Sequence, residues 1–499
     1  MTQRTRTIRN AAIVGVSTAL LGITAPVTAT ASATASPATS LTWTDCEGGG
    51  TVDPRQQCAT LQVPMDYADP DSPLIDVAVS RIPAENPDAR RGALLLIAGG
   101  PGGSSLGDPS RKGQKLPQEV RDTHDLIGFA PRGLAPSIPV TCGLEHGDLA
   151  TSRIRPWPAP DGSVDGNMAT ARRMADACAR NGGELIKHLS TANEARDIDR
   201  IRAALGERQI SAWGVSYGTY VGAVYAQLFP HRTDRVVLDS LDNPDPTRVN
   251  RAWLAGHEQG VEDVFPHFAA WASRPGNPDR VARRAADVRP MFLRLAARLD
   301  REPIPWPGAN PEELNGNVLR QTMLDSFASP SRYPTLAKLM RAARQGTVPP
   351  APAGPPEAVL QNVTAVGAGV LCNDVAWPTS AAVYQKDVTD SRAAYPLTAG
   401  MPRNAMLCAA WPYPPREAPV RITDRGPSNI LLVQNERDVN TPLSGALEMR
   451  EALGRRAVMV TVDSTGHDAY LAEGNACGDR TVSRFLATGE RPGADTYCE

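Results

Sequence analysis

The sequence has no Cys-x-x-Cys pair, and no histidine follows its cysteines at metal-ligand spacing, so a zinc site has little support. It also lacks a basic stripe. Charges of both signs are mixed along the chain and sum to −2, which leaves nucleic acid without a docking surface. No internal repeat of useful length is present, which argues against a repeat architecture. The apolar stretch Ala11 to Val27 is broken by Ser17, Thr18, Gly22, Thr24 and Pro26. It falls short of the ~20 clean apolar residues a membrane anchor needs. Histidine is scarce, at seven in 499 residues, so a general base has few candidates.

What the chain does have begins at its N-terminus. Arg4, Arg6 and Arg9 precede the apolar stretch, and small-x-small sites follow at Val27-Thr28-Ala29 and Ala31-Ser32-Ala33. This is the pattern of a secretory signal. No cysteine sits at the cleavage region for a lipid anchor, and the Ala/Ser/Thr run after it reads as a disordered lead-in, so residues 1–40 are set apart. Export suits the eight cysteines, since disulfides are favoured in an oxidising compartment. Sequential pairing closes only local loops and is expected on that ground: Cys46–Cys58, Cys142–Cys178, Cys372–Cys408 and Cys477–Cys498. The 45 prolines and 42 glycines are spread through the chain, as in a globular protein with many turns.

The periodicity predicts an α/β fold. Ile75 to Ile82 alternates as an edge strand does, whereas Gly92 to Ile97 and Asp125 to Phe129 are continuous apolar runs suited to buried central strands. Thr191-Ala-Asn-Glu194 reads as a capping box opening a helix that Gly206 stops. A strand at Ile210 to Trp213, a helix at Thr219 to Leu228 and a strand at Arg235 to Asp239 follow. Such alternation argues for a largely parallel sheet. From 244 to 418 the pattern turns helical, with Gly260 to Ala272 and Val281 to Leu299 as examples and a Pro/Ala/Gly-rich connector at Val348 to Pro356. Strand and helix signals return at Asn429 to Val433, Ser444 to Leu453, Ala457 to Val462 and Arg480 to Leu486. The expected architecture is therefore an α/β core in two parts, 41–243 and 419–499, split by a mainly helical cap, 244–418.

Gly214-Val215-Ser216-Tyr217-Gly218 matches G-x-S-x-G in the required strand–turn–helix context. Small flanking residues are needed because side chains there would meet adjoining backbone. A serine hydroxyl needs a base, itself oriented by a carboxylate. Among the histidines, His124 opens a strand, His146, His188 and His231 fall in turns or helix ends, and His257 and His267 lie in the cap, where surface or loop roles are expected. His467 instead follows a late strand, and Asp438 follows the strand before it, which is where sites of open α/β sheets lie. Glu436 and Asp463 are the rival acids. The order Ser216, Asp438, His467 is that of α/β hydrolases. Two N–H donors are needed for an oxyanion, and Tyr217 and Gly100 are the candidates, the latter from Gly99-Gly100-Pro101-Gly102-Gly103. That run is not G-x-G-x-x-G and no Lys-Ser/Thr pair follows, so phosphate binding is disfavoured.

Further stretches carry a resemblance: Pro131-Arg-Gly133, Ala195-Arg-Asp-Ile-Asp199, Cys372-Asn-Asp374, Cys408-Ala-Ala-Trp-Pro412, Thr441-Pro442 and Gly466-His467. With the elbow and glycine loop, they resemble the secreted tripeptidyl aminopeptidases of actinobacteria, within the prolyl-aminopeptidase group of α/β hydrolases. The resemblance implies that Ser216, Asp438 and His467 form a triad and that peptides are cut from a free N-terminus, without metal or organic cofactor. Ala130 stands where the family has Asp before Pro-Arg-Gly, and Ile97-Ala98 replaces Asn-Pro or His before the glycines. An exopeptidase also has to read an ammonium group, for which Asp374, Glu258 and Glu262 are candidates; Glu258 and Glu262, four residues apart, could instead face solvent. The expectation is a secreted, monomeric serine exopeptidase acting on peptides. A carboxylesterase using the same triad is the alternative, and a non-catalytic binding protein is the third reading.

Overall fold

The computed structural model describes residues 41–46, 53–245, 249–472 and 474–499. The expected signal and lead-in lie outside these residues. Among them, ten strands form one sheet: β1 (Thr44–Asp45), β2 (Gln57–Pro64), β3 (Leu74–Ile82), β4 (Gly92–Ile97), β5 (His124–Phe129), β6 (Ile210–Val215), β7 (Thr233–Asp239), β10 (Ile430–Arg437), β11 (Ala457–Thr465) and β12 (Thr496–Cys498). The remaining two, β8 (Ile304–Pro305) and β9 (Glu313–Leu314), pair only with each other.

The sheet order is β1-β2-β3-β5-β4-β6-β7-β10-β11-β12. From β5 to β12 every neighbouring pair is parallel, and β1, β2 and β3 add an antiparallel edge. Burial follows this order. β6 is buried along its whole length and β4 at every residue but Gly92, as strands covered on both faces are, while β3 alternates. The fold is an α/β hydrolase with a mostly parallel sheet.

The helices Val249–Ser273, Val288–Arg301, Gly316–Ser326, Tyr333–Arg344, Glu357–Asp374 and Ala381–Ala394 intervene between β7 and β10. The first four close around their own aromatic core, in which Phe265, Phe268, Phe292, Phe327 and Tyr333 meet with ring centroids 5.4–6.1 Å apart. Glu357–Asp374 behaves differently: Ala365, Val366, Val370 and Leu371 join the apolar cluster under the sheet. The helix expected from Val281 starts instead at Val288. Its Pro290 falls in the first turn, where a missing N–H costs nothing.

Four disulfides join the cysteines in sequential pairs, Cys46–Cys58, Cys142–Cys178, Cys372–Cys408 and Cys477–Cys498. The last ties the C-terminal strand β12 to the helix Ala476–Thr488.

Candidate active site

Ser216 sits between β6 and the helix Tyr217–Leu228 with φ 57° and ψ −128°, a conformation costly for a side chain other than glycine's. The turn persists because its surroundings leave no alternative. A Cβ on Gly214 would collide with the Gly218 carbonyl, and one on Gly218 with the carbonyls of Ile97 and Ala98. The Ser216 N–H donates to the Asp239 carbonyl at 3.0 Å, and the Ser216 carbonyl accepts from the Thr219 N–H at 2.8 Å. Gly99 approaches from β4, so near that an added Cβ would lie 2.8 Å from Ser216 Cβ and 3.3 Å from its Oγ. The glycine loop therefore abuts the serine side chain. Tyr217 opens its helix, where backbone N–H groups have no partner within the helix.

Asp438 and His467 leave the C-terminal ends of β10 and β11. Asp438 is buried and accepts from Asn440 N (2.8 Å), Thr441 N (3.0 Å) and Thr441 Oγ1 (2.9 Å). Its Oδ2 lies 2.8 Å from His467 Nδ1. A carboxylate only accepts, so the ring proton stands on Nδ1 and Nε2 is left free to take one. Burial disfavours the imidazolium, but Asp438, through its charge and its hydrogen bond, outweighs it and raises His467 to about 9. The rival acids are both held by Arg437, which bonds Glu436 and Asp463.

Asp239, not singled out by sequence reasoning, joins the two halves. Its carbonyl holds Ser216 N while its carboxylate accepts from Ala469 N (2.8 Å) and Tyr470 N (3.1 Å), just beyond His467. Burial pushes its carboxyl upward, and the nearby Asp468 adds to the shift. The only sequence signal was an acid ending an apolar strand, Arg235-Val-Val-Leu-Asp239. Asp242, also buried, is pushed up by burial to about 7, with the His467 charge pulling the other way.

Behind Tyr217 lies a buried polar group. Its hydroxyl donates to Glu194 (3.2 Å) and meets Thr191 Oγ1 at 2.8 Å. Burial raises Glu194 to about 8, so it stays largely protonated at neutral pH. The expected capping box is thereby corrected: Ser190, one residue earlier, caps the helix by accepting from Asn193 N, and Glu194 turns inward to Tyr217. Arg132, in the Pro-Arg-Gly stretch, is buried against Asp197 at 2.6 Å, and Tyr67 donates to the same carboxylate.

The three carboxylates expected to read an ammonium group line no common cavity. Asp374 spends one oxygen on Thr191 N and the other on Thr191 Oγ1. Glu262 pairs with Arg289. Glu258 is buried on Arg403, at 3.0 and 2.8 Å, so the solvent-facing pair considered for these glutamates is not formed. Glu258 does line a cavity of about 510 Å³, together with Asp242, Arg251, Arg403, Thr441 and Glu448. Thr441 connects this cavity to the site, since its Oγ1 contacts both Asp438 and His467.

Three histidines expected at surfaces or in loops are buried instead: His124, His188 and His257. His257 is fully enclosed between Arg155 and the Val439 carbonyl.

Comparison with known proteins agrees with this fold and chemistry. Residues 92–296 match the alpha/beta hydrolase fold family, and residues 395–498 match the TAP-like protein family. Tripeptidyl aminopeptidase of Streptomyces lividans is 31% identical over 468 residues, covering 91% of this chain and 86% of that protein. Serine protease Hip1 of Mycobacterium tuberculosis is 27% identical, covering 88% and 87%. Carboxylesterase B of the same species is 26% identical, covering 89% and 86%.

Proposed function

Because the chain belongs to the TAP-like family of α/β hydrolases, we propose that it is a secreted serine exopeptidase releasing short peptides, tripeptides foremost, from free N-termini. The observation that carries the reading is the Asp438–His467 bond, held next to the strained Ser216 elbow through Asp239. His467 takes the Ser216 proton through Nε2, and Oγ attacks the scissile carbonyl. The N–H groups of Tyr217 and Gly100 receive the oxyanion, and His467 returns the proton to the leaving amine. Water repeats the sequence on the acyl-enzyme.

Of the carboxylates lining that cavity, Glu258 is taken by Arg403, Asp387 by Arg251, and Asp242 is raised to about 7. Glu448 is then the one best placed to meet a substrate ammonium group, and Thr441 ties the cavity to His467. Ala98 and Ala130, in place of the family's polar residues, are buried or partly buried beside the glycine loop and Arg132, so they bear on side-chain preference. Export is supported by the four disulfides and by the charged, then apolar, N-terminal sequence. No helix among the described residues is long and apolar enough to cross a membrane.

Mass spectrometry of products from matched free and N-acetylated peptide ladders tests the reading. Release of tripeptides from the free ladder alone is expected. Cleavage of p-nitrophenyl acetate without cleavage of either ladder would favour the esterase reading, which the likeness to carboxylesterase B keeps in view.

A further inference from the structure

The segment between β7 and β10 touches the triad loops directly, at backbone level. On the helix Val249–Ser273, a Cβ added to Gly260 would lie 2.8 Å from the Val439 carbonyl and 2.9 Å from that of Asp438. One added to Gly256 would lie 3.1 Å from Pro442. The loop 438–442 thus rests on a glycine-lined strip of this helix. Between those glycines stands His257, with Nδ1 2.7 Å from the Val439 carbonyl and Nε2 2.6 Å from Arg155 Nη1.

The protonation of this pair follows from its geometry. A guanidinium only donates, so Nε2 accepts and Nδ1 carries the proton given to Val439. Burial first, and the Arg155 charge second, lower His257 to about 3, consistent with a neutral ring. Among the described residues, the charged or titratable groups acting on it are Arg155, Asp438 and His467, with Asp325 acting on Arg155. A second contact from the same segment reaches the residue bearing the base: the Ala328 carbonyl accepts the His467 backbone N–H at 2.8 Å.

We propose that Arg155 and His257 are positioning residues that fix the backbone at Val439 and so aim the Asp438 carboxylate at His467, making the inserted helices part of the catalytic frame. The chain holds the acid from above through His257 and the base through Ala328, while its own loop bonds hold the acid from within. The inference rests on the assignment of Ser216, Asp438 and His467, not on the substrate, so a chromogenic ester serves as the assay.

The test compares His257→Asn, His257→Leu and the double variant Arg155→Met/His257→Leu, with Ser216→Ala as control. Asparagine can still donate to Val439; leucine cannot. The double variant removes the guanidinium together with the imidazole that accepts from it. For the double variant, folded by circular dichroism, kcat should fall about 10- to 100-fold with KM little changed. The acidic limb of its kcat/KM profile should move to lower pH as Asp438 loosens its hold on His467. His257→Asn should recover most of kcat. Folded variants with wild-type kcat and an unmoved limb would overturn the inference, as would equal losses for Asn and Leu. Residual wild-type activity in Ser216→Ala would instead overturn the triad assignment.

Discussion

Two loops at the same edge of the sheet carry buried aspartates, and they treat them differently. After β10, Asp438 receives two backbone N–H groups, a hydroxyl and the imidazole. After β7, Asp242 accepts, among the described residues, the Asn243 N–H at 2.8 Å, and burial raises it to about 7. Asp239, at the end of β7, is met by two N–H groups from the loop after His467, by Ser240 Oγ at 3.2 Å and by Trp213 Nε1 at 3.4 Å, and burial still pushes its carboxyl up. What sets Asp438 apart is the imidazole among its donors, since that bond orients the His467 ring and favours its charged form. That is the property a triad acid needs.

The contrast breaks most sharply at Asp438. Asp438→Asn should lower kcat/KM on the order of 10,000-fold, because an amide no longer enforces the Nδ1 tautomer. In the parent protein kcat/KM should rise with pH through about 9, since His467 accepts a proton only when neutral; in the variant any residual limb should fall toward 6.5. The sign for stability is opposite: the raised His467 steadies the fold below about 6.5, and that contribution fades as pH climbs through about 9. Asp239→Asn should cost about 1–3 kcal/mol by thermal or urea unfolding, because the amide can satisfy only one of the two N–H groups. It should also slow fluorophosphonate labelling of Ser216, as the loop bearing His467 loosens. Asp242→Asn should have the smallest effect and the reverse sign. An unfolded aspartate releases its proton near 3.8 and this one near 7, so the folded state loses stability as pH rises between them. The variant should therefore unfold at higher urea than the parent above pH 7, with little difference below 3.8. Equal behaviour of Asp239→Asn and Asp242→Asn would undo the contrast.

The sheet was legible because β4 buries both faces and spells this out as an unbroken apolar run, Ala93 to Ile97, and because Gly214 and Gly218 cannot be anything larger. Ser216, Asp438 and His467 were each readable as following a strand, and they follow β6, β10 and β11. Three things escaped. Glu194 follows Thr191 at capping distance, yet its partner is Tyr217 on another helix, which no local pattern records. Asp374 was expected to face substrate, but it is spent on Thr191, distant in sequence. His257 was expected on the cap surface because the helical signal of its segment does not say which face meets the core. In each case the deciding contact joins residues far apart in the chain.

The Ser216 elbow lies before the inserted helices, whereas Asp438 and His467 lie after them. During synthesis the ribosome therefore releases Ser216 long before His467 exists, and β10 has no residues with which to extend β7 until the insert has emerged. On the roles proposed above, a nascent chain lacks both acid and base through most of its translation, and catalysis waits for the C-terminal segment. The insertion acts as a timer as well as a wall.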